Sequence, residues 1–430
     1  MFGIMRLKVL CAAAYLLWTT CVVGAPLDTD KIEQRHLHAD SHWVATWTSM
    51  SQLVEPSNLP PAPFASSGVF KDATLRQTLH MSIGAERIRI QISNTFGGSA
   101  LPITAASLAL PTGGQAGVNG IDTTTLRGLT FNGSSSVNIP QGQVVYTDPI
   151  DFKISPQSMI TVTLYSQAGQ SGTSITGHPG SRTTSWMQQG NHLNASTVTG
   201  ASVAHWYFLT AVEAWAPLST SALVILGDSI TDGRGSTDNQ NNRWPDLLLA
   251  RMQKENITNI AVVNQAAGGN AVLSGGLGPP LMQRYKRDLL ATAGVKYGLI
   301  FEGVNDIGVA STDSGTLSRI GSSLESSFKT IATDAKAAGI TMFGATITPF
   351  SGSGQAYSNP ARDSERQTVN KWILGGGDGS YAASIDFAKI LANPSDPADL
   401  ASQYDSGDHL HPNPVGYQAI ADQFPLTIFK

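Results

Sequence analysis

Cysteine is almost missing from this 430-residue chain: both residues, Cys11 and Cys21, fall near the start. Downstream of them no disulfide framework and no thiolate metal site can be built. Charge is also sparse, at 13% of residues and a formal net of −4, and no basic run occurs. That balance speaks against nucleic acid or an anionic membrane as the partner. Internal repeats and low-complexity tracts are lacking. The one long apolar run, Val9 to Val23, is too short and wrongly flanked for a membrane span.

What is present begins with that run. Arg6 and Lys8 precede it and the small residues Val23-Gly24-Ala25 end it, the pattern of a secretory signal peptide over 1–24 with cleavage after Gly24. Removing it takes the net charge from −4 to −6, because Arg6 and Lys8 are its two charges. The mature protein then lacks thiols and must rely on the size of its cores, which a chain of this length supplies. Three sequons, at Asn132, Asn194 and Asn256, are candidate N-glycan sites on an extracellular protein.

The length predicts two domains. Residues 25–42 are polar and without periodicity, and read as a loose arm. From 43 to 216 short apolar alternations are separated by Gly, Pro, Asn and Ser clusters, and no amphipathic helix precedes about residue 240. Leu75, Leu79, Met81 and Ile83 alternate, Gly84-Ala85-Glu86 breaks the run, and Ile88, Ile90 and Ile92 alternate again. We read Leu75–Ser93 as a hairpin with one buried face, and 43–216 as a β-sandwich. After Trp215-Ala216-Pro217 strand-like runs (223–226, 260–264, 297–302, 340–347) alternate with helical periodicity (245–254, 281–290, 317–338, 363–374). Such alternation predicts a parallel sheet with helices on both faces over 217–430.

The stretch that organises this second domain is Leu223-Val224-Ile225-Leu226-Gly227-Asp228-Ser229. A buried strand stops at a glycine, so Ser229 is placed where ligands of open parallel sheets bind. A serine there is a nucleophile if a base lies within reach. His411 is the candidate base, and Asp408, three residues earlier, can orient its ring. No Gly-x-Ser-x-Gly elbow surrounds Ser229. His409 and His411 could instead form a metal pair, but no further acidic or histidine cluster completes such a site.

Four blocks in order, Gly227-Asp228-Ser229, Asn264 to Asn270, Gly303-Val304-Asn305-Asp306 and Asp408-His409-Leu410-His411-Pro412, resemble the GDSL, or SGNH-hydrolase, family. The resemblance spans roughly the last half of the chain. It implies a flavodoxin-like αβα sandwich and a Ser229–His411–Asp408 triad. It also implies an oxyanion hole from the Ser229 N–H, the Gly269 N–H and the Asn305 amide. Gly269 fits the family's register better than Gly268, being five residues beyond Asn264. His409 stands where the family often has glycine. Asp228 and Asp306 read as loop-fixing carboxylates and Asn264 as a structural pin. Asp232 and Arg234 are candidates for the cleft entrance, and Glu302 ends a strand with no role assigned.

These features imply an ester hydrolase that works through an acyl-enzyme and needs neither metal nor cofactor. The N-terminal segment, with Trp43–Trp47, Leu75-Arg76-Gln77 and Ile92–Gly97, resembles the β-domain of secreted carbohydrate and aryl esterases. That resemblance points to acetyl esters of plant cell-wall polysaccharide such as xylan. A lipase or broad short-chain esterase is the alternative, and a non-catalytic carbohydrate-binding protein is the alternative of another class. His178 and Trp186 flank a Gly/Ser/Thr-rich stretch, 179–185, which would help select substrate if it reaches the cleft.

Overall fold

The computed structural model describes residues 40–66 and 68–429. The expected leader and most of the expected arm lie outside the described residues. From His42 onward the chain forms one compact unit. No helix among the described residues is long and apolar enough to cross a membrane.

The N-terminal part is built from antiparallel sheets. One places Ser41–Thr48, Leu209–Pro217, Ala85–Ser93 and Ile150–Ile154 side by side, with Val144–Tyr146 also on Ala85–Ser93. A second runs Ala201–Val203, Ser185–Gln189, Ala73–His80, Met159–Ser166, Ala105–Pro111, Ile121–Leu129. A single apolar cluster takes Leu75 and Leu79 from the second sheet and Ile88, Ile90 and Ile92 from the first. This is a β-sandwich.

The expected hairpin over Leu75–Ser93 does not form. Ala73–His80 pairs with Met159–Ser166 and Ser185–Gln189, whereas Ala85–Ser93 pairs with Leu209–Pro217 in the other sheet. The break at Met81–Gly84 is a corner between sheets. Alternation fixes which face is buried but not which strand lies alongside, so the same pattern suits a hairpin or a corner. Nor does Ala73–His80 have only one buried face. Arg76 is wholly buried on the other face, donating to Thr163 Oγ1 (3.1 Å) and to the carbonyls of Asn119 (2.9 Å) and Ala195 (2.8 Å).

The C-terminal part is a parallel sheet of β1 (Ser221–Gly227), β2 (Ile260–Ala266), β3 (Val295–Phe301), β4 (Thr341–Ala345) and β5 (Ala383–Ile385), in the order β2-β1-β3-β4-β5. That is the flavodoxin-like order. All seven residues of β1 are buried, as a strand covered by helices on both faces must be. After β1 come α1 (Ser229–Asp232) and α2 (Trp244–Lys254), then α3 (Leu281–Tyr285), α4 (Val304–Gly308), α5 (Ser314–Ala337), α6 (Pro360–Leu374), α7 (Phe387–Leu391) and α8 (Pro414–Gln423). Helix α2 starts with Pro245 in its first turn and ends with Arg251 and Lys254 in its last, as the helix dipole favours. Its Leu248, Leu249 and Met252 enter the core.

Two differences from expectation concern elements too short or too irregular to leave a pattern. Strand β5 has only three residues, and the helix expected over 281–290 turns π-helical at Lys286–Leu290. The register is what positions the site. Gly227 at the end of β1 pairs with Ala266 of β2 and with Phe301 of β3. Three adjacent strands therefore end level, and the loops bearing Ser229, Gly268–Asn270 and Gly303–Asn305 leave the sheet together. With β2 and β3 on opposite sides of β1, this is the switch point of the topology.

Candidate active site

Ser229 opens α1, which Asp228 caps by accepting the Ile230 N–H (2.9 Å). The first turn of a helix has N–H groups without intrahelical acceptors. Among the described residues the Ser229 N–H has no hydrogen-bond partner. The Ser229 hydroxyl lies 2.8 Å from His411 Nε2, and His411 Nδ1 lies 2.6 Å from Asp408 Oδ2. Ser229 and His411 are only 6% and 5% exposed, so their contact is largely shielded from water.

The loop carrying the histidine is pinned at several points. Asp408 Oδ1 accepts the backbone N–H groups of Leu410 (3.1 Å) and His411 (2.8 Å). Asn413, the cap of α8, donates to the carbonyls of Gln403 and Asp405, both at 3.0 Å. Burial pushes the Asp408 carboxyl up, but the bonds from the His411 ring and backbone outweigh it and hold it well below the usual carboxylate range. Asp408 is thus an anion facing Nδ1–H, which leaves Nε2 free to take a proton from Ser229.

The other predicted residues converge on the same serine. Gly269 has φ +68°, a conformation that glycine adopts freely, and its N–H has no partner among the described residues. The neighbouring Gly268 N–H is already used, donating to Asp232 Oδ2 (3.0 Å). Asn305 Nδ2 faces the Asn270 carbonyl (2.7 Å), and a carbonyl only accepts, so the amide orientation is set. One amide N–H of Asn305 remains, and Tyr357 donates to its Oδ1 (2.8 Å).

Asp306 accepts the N–H groups of Val272 and Leu273, both at 2.9 Å, and so holds the loop after β2. Asn264 donates to the Thr231 carbonyl (2.9 Å) and accepts the Ala266 N–H (3.0 Å), tying α1 to β2. His409 turns away from Ser229: its Nδ1 bonds Asp405 Oδ2 (2.6 Å), and φ +61° places it where glycine would be unstrained. Among the described residues no cluster of three His, Cys, Asp or Glu could hold a metal ion.

Asp232 does more than line an entrance. It is 2% exposed, and its Oδ1 meets His178 Nε2 (2.9 Å) while its Oδ2 accepts the Gly268 N–H. His178 belongs to the N-terminal part, where its Nδ1 faces the Met50 carbonyl (2.9 Å) and its ring stacks on Trp206. Gly180 packs so closely on the Asp232 carboxylate that a Cβ would overlap it. The stretch after His178 therefore reaches the site. Trp186 does not; it donates to the Gly117 carbonyl (2.8 Å).

Ser229 opens into a cleft of about 560 Å³. The N-terminal part supplies Gln52, Glu55, Asn58, Pro179, Gly180 and Arg182 to its walls, and the C-terminal part supplies Arg234, Leu277, Gln355, Tyr357 and Leu410 beside the residues above.

Sequence reasoning missed Arg284, on α3, which lies fully buried beneath the loops. It donates to Asn270 Oδ1 (2.9 Å), the Gln265 carbonyl (2.6 Å), the Gly227 carbonyl (3.1 Å), Asp288 Oδ2 (3.1 Å) and Glu302 Oε2 (3.3 Å). It thereby ties the ends of β1 and β2 to the glycine loop, and it gives Glu302 a partner. Nothing in an apolar helical run marks a charge as buried rather than exposed. Tyr357 and Gln355 lie on a loop with no periodic signal.

A doubly wound α/β domain with a buried serine and histidine and a half-exposed aspartate in series at its switch point defines the class of site. Residues 225–419 match the model of the GDSL-like lipase/acylhydrolase family. Among solved structures it is similar to an acetylxylan esterase from Geobacillus stearothermophilus, with 21% identity over 49% of this chain and 94% of that one and a TM-score of 0.35. It is also similar to a psychrotrophic esterase from Pseudoalteromonas, with 19% identity over 47% and 93% of the two chains and a TM-score of 0.34. A lipase/acylhydrolase from Enterococcus faecalis matches at 17% identity over 47% and 93%, with a TM-score of 0.35. No curated protein matches the chain.

Proposed function

We propose that this protein is a secreted serine esterase acting on short-chain carboxylic esters of polar alcohols, with acetylated plant polysaccharide such as xylan as its substrate class. The observation that carries the reading is the 2.8 Å approach of Ser229 Oγ to His411 Nε2, continued at 2.6 Å to Asp408. In this reading His411 takes the serine proton as Oγ attacks the ester carbonyl, and Asp408 stabilises the imidazolium. The N–H groups of Ser229 and Gly269 and the remaining Asn305 N–H receive the oxyanion, each contributing about 3–4 kcal/mol to lowering the barrier. His411 then protonates the leaving alcohol, and later activates water to release the acid from Ser229. The engagement of Gly268 by Asp232 favours Gly269 as the donor.

The cleft's lining supports a polar alcohol and a short acyl group. Gln52, Glu55, Asn58, Arg182 and Gln355 line it, and Leu277 is the exposed large apolar residue among its walls, at 49%. A long acyl chain calls for a continuous apolar groove. The test compares purified wild type and Ser229→Ala on 4-nitrophenyl esters from acetate to laurate and on acetylated xylan. Turnover of acetate, lost by about 10⁴-fold or more in Ser229→Ala, is expected. Preference for laurate would make the protein a lipase, and turnover that survives Ser229→Ala would end the serine mechanism.

A further inference from the structure

Two cationic side chains line the cleft, Arg182 and Arg234, and neither has a part in the ester chemistry. Each carboxylate on the cleft wall already has partners: Glu55 accepts from Asn58 (3.0 Å) and Gln52, Asp232 is held by His178 and Gly268, and Asp408 by His411. Arg182 has none. Its Nε is buried without a hydrogen-bond partner, and among the described residues its guanidinium meets no acceptor. A guanidinium carries five donors and a fixed charge; here Nε is buried without a partner and the remaining N–H groups are free for an anion in the cleft.

The backbone fixes where the Arg182 side chain starts. Arg182 stands at φ +48°, where glycine or asparagine would be less strained. The chain holds it there from both sides. Ser181 and Thr183 are buried and bonded to each other, the Arg182 carbonyl accepts the Asn239 N–H (2.8 Å), and Asn239 also bonds Thr184. The backbone at this cleft wall is thus held in a strained conformation by bonds that do not involve the guanidinium. Arg234, 62% exposed and only loosely placed 3.8 Å from Asp408, adds a second positive charge to the same cleft.

We propose that Arg182 forms a carboxylate subsite, so that the preferred substrates are esters borne by acidic carbohydrate, with a uronate carboxylate seated on the guanidinium. The planar fork of arginine suits a carboxylate, which it can grip with two parallel bonds. The proposal rests on the ester-hydrolase reading, and it means that the N-terminal part chooses the substrate while the C-terminal part cleaves it.

The test measures affinity without turnover. The full chain carrying Ser229→Ala is titrated by calorimetry with a uronic-acid oligosaccharide and with the same oligosaccharide methyl-esterified at its carboxyls. The free acid is expected to bind at least about tenfold more tightly at low salt, with the gap narrowing at 0.5 M NaCl because the subsite is partly open to solvent. Adding Arg182→Asn, whose side chain tolerates the left-handed backbone, should erase the preference, and Arg182→Lys should restore part of it. Equal affinities in the Ser229→Ala protein, or a preference that survives Arg182→Asn, overturns the proposal. Hydrolysis of 4-nitrophenyl acetate by the wild type is read in parallel. Its absence counts against the esterase reading alone, because Arg182 is judged by the affinities.

Discussion

Two histidine–aspartate pairs flank Ser229, and they differ in one respect that decides their chemistry. In His411–Asp408 the ring gives Nδ1 to the carboxylate and turns Nε2 to a hydroxyl. In His178–Asp232 the carboxylate takes Nε2 and the Met50 carbonyl takes Nδ1. Both ring nitrogens of His178 are taken up by fixed partners and neither is turned to a hydroxyl, so the ring is not placed to act as a base. The burial differs in step. Both members of the second pair are below 5% exposed, whereas Asp408 keeps 36% of its side chain open. A His–Asp pair is thus not a catalytic signature in itself; the third partner decides.

The largest expected effect breaks the comparison at its active end. His411→Ala leaves the Ser229 hydroxyl without a proton acceptor and should lower kcat on 4-nitrophenyl acetate by about 10⁴-fold or more. Steady-state kinetics on the purified variant checks it. A loss below about 100-fold would mean that some other group deprotonates Ser229.

A smaller effect separates carboxylates that have a histidine from those that do not. Asp408 is held down by its histidine, but Asp228 is pushed up to about 7 and Glu302 to about 8, by burial first and then by neighbouring carboxylates. In the unfolded chain both titrate near pH ~4. Between that pH and about 7 to 8 the folded chain holds protons that the unfolded chain has lost, so their stabilising contribution is full at acid pH and falls as pH rises. The expected slope is about 1.4 kcal/mol per pH unit per group at most. Urea midpoints at pH 5, 6.5 and 8 should therefore fall in the wild type. Glu302→Gln, which does not ionise, should flatten that fall by on the order of 2 kcal/mol. Parallel curves for the two proteins would show that Glu302 is ionised throughout, with Arg284 winning over burial.

How much of this was legible in the sequence follows from what each signal encodes. The apolar run before Gly227 and the four polar blocks were readable because strand, loop and reactive residue are contiguous there. The parallel sheet was readable for the same reason, since each strand and its following helix are neighbours in the chain. The sandwich was readable as a class but not as a pairing. Ile88, Ile90 and Ile92 announce a buried face, and nothing in them says that Leu209–Pro217 rather than Ala73–His80 lies alongside. Arg284, Tyr357 and the His178–Asp232 contact stayed hidden because each joins segments far apart in sequence. His178 and Asp232 are 54 residues apart and meet only because the two parts of the chain pack together.

The smallest effect tests whether the silent pair has a share in the site at all. His178 does not touch the cleft's reacting atoms; it reaches them through Asp232 to the Gly268 N–H, and so to the placement of the free Gly269 N–H. It is a positioning residue. In His178→Gln one amide can keep the bond to Asp232 or the bond to Met50, but not both geometries of the ring. The Gly268–Gly269 turn should loosen, which weakens oxyanion binding without altering the walls that hold the ground-state ester. The expected outcome is a fall in kcat of about tenfold with KM changed by less than about twofold, since an oxyanion donor acts only once charge has developed. A rise in KM with kcat intact would mean that the pair shapes the cleft instead. A loss as deep as that of His411→Ala would erase the distinction between the two pairs.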